Sequence, residues 1–67
     1  MEVEGVRPGV LLLRDGHTGL RAAVRLNTIL GVFEGESGGT LVTISGGRIL
    51  TVDADFDEIV SLIGWSR

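Results

Sequence analysis

Residues 40–63, TLVTISGGRILTVDADFDEIVSLI, change their apolar spacing from two-residue alternation to a three-and-four repeat. The first part reads as a β-hairpin and the second as a helix. Leu41, Val42, Thr43 and Ile44 lead to Gly46 and Gly47, a pair able to take the two positive φ angles of a tight type I′ turn, before residues 48–52 run back. A two-residue turn pairs Ser45 with Arg48, Ile44 with Ile49, Thr43 with Leu50 and Val42 with Thr51. On that register Val42, Ile44, Ile49 and Thr51 share one side, while Leu41, Leu50 and Val52 share the other with Thr43, Ser45 and Arg48. Neither side is wholly polar. One is expected to cover the helix and the other to meet a second subunit.

The helix should begin after Asp55, an N-cap residue whose partner in a box-like pair is Glu58; Asp57 and Glu58 also sit where the helix dipole favours anions. Phe56, Ile59, Val60 and Ile63 then form one stripe at helical spacing. Gly64 is the expected stop, and a left-handed Gly64 lets Trp65 fold back toward Val60.

Upstream, residues 1–9 read as a loose arm ending at Pro8-Gly9, and residues 10–67 as one β-rich domain. The first strand starts at Val10, with Val10, Leu12 and Arg14 on one face and Leu11 and Leu13 on the other. Asp15-Gly16-His17-Thr18-Gly19 supplies turn formers. Residues 20–26 carry the clearest alternation: Leu20, Ala22, Val24 and Leu26 against Arg21, Ala23 and Arg25, one face apolar and the other cationic. Asn27-Thr28 breaks the run. Residues 29–34 read as a further strand with a bulge or close contact at Gly31, and residues 35–39 as a flexible glycine-rich loop.

Composition limits the chemistry. At 67 residues there is one domain, and a chain of this size buries only about 60% of its unfolded surface, so its core is marginal without a staple or partner. Cysteine and lysine are absent, which excludes disulfides, thiolate nucleophiles, cysteine-ligated zinc, lysine Schiff bases and P-loop chemistry. With 43% hydrophobic residues, oligomerisation is the expected staple. The N-terminal residues include Glu2 and Glu4, and the longest early apolar run, residues 10–13, is short for a signal peptide or membrane span; a cytoplasmic protein is expected.

Charge divides unevenly. Residues 1–33 are net +1, residues 34–67 net −4, and the chain −3. A net acidic domain argues against sequence-independent nucleic-acid binding, which needs a concentrated positive field. A local arginine face remains open as an alternative, with Arg21 and Arg25 on one strand face and Arg14 and Arg48 joining if neighbouring strands align.

Other candidates have plainer roles. Asp53-Ala54-Asp55-Phe56-Asp57-Glu58 resembles half a calcium loop, but that loop needs glycine at its sixth position and glutamate at its twelfth, where this chain has Glu58 and Gly64. His17, with Asp15 two positions earlier, has no companion nucleophile or second histidine and reads as a solvated turn residue. Gly35, Gly38 and Gly39 lack the lysine and spacing of a phosphate cradle. No enzyme activity, metal or cofactor is expected.

The run Thr40 to Arg48, then Val52, then Glu58-Ile59-Val60 to Ile63, resembles the C-terminal half of the small flagellar-operon proteins called FlbD, whose pattern there is an apolar strand, an Asn-Gly-Lys-type turn, a second strand and an acidic-start helix. Residues 24–34, with Leu26-Asn27, are similar once a gap is allowed, so the resemblance spans about residues 10–63. It implies a non-enzymatic accessory role and brings no catalytic residues.

The fold expected is therefore α+β: a small antiparallel β-sheet or partly open barrel of four to five strands with one C-terminal helix. The function expected is a non-catalytic protein-interaction or assembly module that self-associates, with Leu41, Leu50, Val52 and Trp65 at the protein interface. The alternative is a small nucleic-acid-binding regulator using Arg14, Arg21, Arg25 and Arg48.

Overall fold

Leu11 and Leu13 are fully buried, while Val10, Leu12 and Arg14 around them are partly exposed, the alternation that a strand over these residues requires. The computed structural model describes residues 1–65. It contains β1 (Glu2–Arg7), β2 (Val10–Arg14), β3 (Arg21–Arg25), a 3₁₀ turn (Leu26–Thr28), β4 (Ile29–Glu34), β5 (Thr40–Ile44), β6 (Arg48–Val52) and α1 (Phe56–Leu62). The strands form two antiparallel three-stranded sheets, sheet A in the order β1-β2-β3 and sheet B in the order β4-β5-β6. This is a small α+β domain with six described strands rather than the four to five expected from the sequence.

The extra strand is β1, in the segment read as an arm. Glu2, Val3 and Glu4 alternate in charge and apolarity, and Val3 turns inward opposite Leu13. A bulge between Val3 and Gly5 then carries Glu4 to Arg14, whose Nε donates to the carboxylate at 2.6 Å. Pro8 and Gly9 make the turn into β2, with Gly9 at φ 77°. The sheets are tied at Met1, whose nitrogen donates to Thr51 O and whose carbonyl accepts the Asp53 amide; the 3₁₀ turn between them is held to each sheet, Leu26 N donating to Gly9 O and Ser45 N to Thr28 O at 2.9 Å.

The hairpin differs from the expected one. The Ser45 amide points to Thr28 on the β4 side, the loop contains Ser45, Gly46 and Gly47, and Ile44 rather than Ser45 faces Arg48. Both glycines have positive φ, 90° and 78°, as their pairing in the sequence suggests. The pairs are Thr43 with Ile49, Val42 with Leu50, Leu41 with Thr51 and Thr40 with Val52. A one-residue slip exchanges the faces of β6 relative to β5. Val52, fully buried, and Leu50, packed on the core, therefore turn inward with Val42 and Ile44, and Ile49 turns outward.

Leu11, Leu13, Val24, Ile29, Val42, Val52, Ile59 and Ile63 form the core between the sheets and α1. Seven helical residues are too few to be stable alone, and Ile59 and Ile63 hold the helix by burial beside β4. Asp55 occupies the N-cap with extended backbone, but its side chain makes no capping bond, so the expected Asp55–Glu58 box does not form. At the other end Gly64 has φ 81°, and the Gly64 and Trp65 amides donate to Ser61 O and Val60 O, the bond pattern of a Schellman cap. No helix among the described residues is long and apolar enough to cross a membrane.

Candidate functional site

Each sheet has an inner face in the core and an outer face in solvent, and the two outer faces differ in chemistry. On sheet A the cross-strand rows are Glu2–Arg14–Arg21, Gly5–Leu12–Ala23 and Arg7–Val10–Arg25. Four arginines therefore share one surface with Glu2 and Glu4. Arg7, not singled out from the sequence, belongs to this group because β1 exists. Arg14 is held by Glu4, and that hydrogen bond and charge raise its pKa. Its guanidinium also donates to Gly19 O at 3.2 Å, so Arg14 fastens a strand to a loop. Arg21 and Arg25 are exposed and have no acidic partner among the described residues. Arg48 lies on sheet B, but it lines a cleft together with Arg25, so the fold brings these two sequence candidates together.

On sheet B the outer face is apolar. Phe33 lies opposite Leu41, and Ile49 is the diagonal neighbour of Leu41. Phe33 is 55% exposed and Ile49 63%, with Leu41 partly exposed between them. The Phe33 ring lies over Gly31: a Cβ built there would stand 2.9 Å from the ring. Glycine in this strand leaves room for the aromatic side chain on the surface. Leu30, at the bulge between Ile29 and Gly31, is 69% exposed.

Of the four interface residues expected from the sequence, Leu41 and Trp65 reach solvent. Val52 is in the core and Leu50 packs against it, which removes both from an outer contact surface. Phe33 and Ile49 take their place. Counting three loop residues instead of two would have found Ile49; Phe33 follows from its alternation with Val32.

The loops are built rather than loose. Asp15 Oδ1 accepts the backbone amides of Thr18 and His17, and these bonds, in that order of effect, lower the Asp15 pKa. Asp15 thus shapes the turn through the His17 backbone and does not orient its imidazole. Between β4 and β5 the Gly35 amide donates to Gly39 O at 3.1 Å, and a Cβ on Gly35 would stand 2.6 Å from Gly38 O. This is an ordered turn that excludes a side chain at Gly35, where the composition alone suggests a flexible connection. Glu34, Glu36, Asp55 and Asp57 surround an open groove beside it. Among the described residues no group of three or more histidine, cysteine or acidic side chains is arranged to hold a metal ion.

Thr40 escaped the sequence reading. It is 1% exposed and its hydroxyl donates to Ala54 O at 2.6 Å, fastening β5 to the segment that leads into α1. No protein-family model matches the chain, and neither a curated protein nor a solved structure matches it.

Proposed function

We propose that this protein is a non-catalytic interaction module that self-associates through the outer face of sheet B. The observation carrying this reading is the diagonal strip Phe33–Leu41–Ile49, three large apolar side chains on three adjacent strands with solvent over them. Isolated exposed apolar residues are ordinary, but neighbouring ones in a strip across a sheet face favour burial against another surface. A small domain with a limited core gains most from such burial. The FlbD resemblance accords with this reading, since it implies an accessory role without catalysis.

Sedimentation velocity across a dilution series tests the reading. The wild-type chain is expected to pass from oligomer to monomer on dilution, and the double variant Phe33→Ser with Ile49→Thr to stay monomeric while its circular dichroism is unchanged. A wild-type chain that is a folded monomer at every concentration would reject it.

The second reading, a nucleic-acid-binding regulator, draws support from the exposed Arg21 and Arg25 and from Arg48 beside Arg25. It predicts salt-sensitive binding of DNA or RNA that weakens in the variant Arg21→Ala plus Arg25→Ala. The acidic side chains of Glu2 and Glu4 on the same face, and the occupation of Arg14 by Glu4, place it second.

A further inference from the structure

The edge of sheet A that β3 forms is open, and its geometry defines a partner. Asp15 N donates to Leu20 O and Leu26 N to Gly9 O, so these bonded pairs bracket the β2–β3 ladder. Bonded pairs alternate in an antiparallel ladder, which assigns the inward bonds to Ala22 and Val24. Arg21, Ala23 and Arg25 consequently aim their backbone amides away from β2, and among the described residues β3 has no strand on that side. The Arg25 carbonyl accepts from the Thr28 hydroxyl at 2.7 Å; among the described residues no bond outside the β2–β3 ladder uses the amides of these three residues or the carbonyls of Arg21 and Ala23.

A cleft runs beside this edge. Ala22, Val24, Ile44 and Leu50 line it, with Arg25 and Arg48 among its polar residues. The side chains of Arg21 and Arg25 meanwhile stand on the outer face, one at each side of Ala23, and neither these two nor Arg48 has an acidic partner among the described residues.

We propose that the β3 edge binds an extended acidic peptide segment of a partner protein by strand addition. In an added antiparallel strand, the residues opposite Arg21, Ala23 and Arg25 share the outer face with them, and the two residues between turn toward the cleft. The fitting segment therefore reads acidic, apolar, small, apolar, acidic. Its carboxylates meet Arg21 and Arg25 and its apolar pair covers Val24 and Leu50. A second copy joined β3 to β3 is disfavoured, because antiparallel pairing about Ala23 sets Arg21 of one chain against Arg25 of the other. The edge belongs to sheet A and the cleft is shared with Ile44, Arg48 and Leu50 of sheet B, and neither involves the outer apolar strip of sheet B.

The test uses a short blocked peptide with the sequence glutamate, valine, threonine, valine, glutamate at its centre, added to the full chain at low salt. Binding read by fluorescence anisotropy is expected, together with slowed hydrogen exchange at the Arg21, Ala23 and Arg25 amides. The variant Arg21→Glu plus Arg25→Glu should bind this peptide roughly tenfold or more weakly and should regain binding to the matching lysine peptide. A peptide with proline at its centre should bind neither form. The proposal is overturned if the glutamate peptide leaves those three amides unprotected, if the lysine peptide binds the wild-type chain equally well, or if a single-stranded oligonucleotide of similar length displaces it.

Discussion

Sheet A and sheet B are built alike and finished differently. Each is a three-stranded antiparallel meander with a bulge in its first strand, and each turns alternate apolar side chains into one shared core. Outside, sheet A carries arginine and glutamate, and sheet B carries Phe33, Leu41 and Ile49. The inner faces are interchangeable in chemistry because they serve stability. The outer faces are where the two halves of the molecule diverge, and that is where its partners are expected.

The largest effect expected from breaking this comparison is at the core. Leu13→Ala removes a fully buried side chain and should cost about 2–5 kcal/mol, enough to unfold much of a small domain, as urea denaturation would measure. Ile49→Ala, one hydrophobic truncation on the other side of the neighbouring sheet, should change the stability of the dilute monomer by less than about 1 kcal/mol. Equal losses at the two sites would mean that the outer strip is part of the monomer's core.

Thr40→Val comes next. It keeps the volume and leaves the Ala54 carbonyl without its hydroxyl partner, an expected loss of about 1–3 kcal/mol by the same measurement.

These two positions also show what could be read before the structure. Strand identity was legible wherever one face is buried: Leu11 and Leu13, Ala22 and Val24, and the helix stripe at Ile59 and Ile63 all declare themselves by spacing. The register of β5 on β6 was not, because Gly46-Gly47 suits a two-residue or a three-residue loop, and the chain takes the longer one with the Ser45 amide turned to Thr28 O. That difference of one residue separates an outer face bearing Leu50 and Val52 from one bearing Ile49. β1 was missed for a related reason, since its glutamates look like a solvated arm until the bulge places Glu4 against Arg14. Thr40 sits in a run of strand residues, and nothing adjacent marks its hydroxyl as the clasp to Ala54.

Smaller effects sharpen the contrast between the outer faces. Gly31→Ala pushes on the Phe33 ring without touching the core, and Gly31 does not need positive φ. Monomer stability should shift by less than about 1 kcal/mol, while the concentration at which the chain self-associates should rise. On sheet A's side, the smallest expected change is in the acid limb. Because Asp15 has a lowered pKa in the folded chain, its contribution is complete above the ordinary aspartate range and is lost as pH falls through the lowered value. The advantage of the wild-type chain over Asp15→Asn in denaturant melts should therefore be present near neutrality and vanish on acidification.

The most direct test sets one outer face against the other in a single sample. A soluble paramagnetic agent broadens the resonances of side chains it can reach, and it can be applied to the wild-type chain at low and at high protein concentration. The methyl groups of Leu41 and Ile49 should be broadened when dilute and shielded when concentrated, with the Ala23 methyl on sheet A broadened throughout. Shielding that fails to develop on sheet B, or that develops on sheet A instead, would contradict the account.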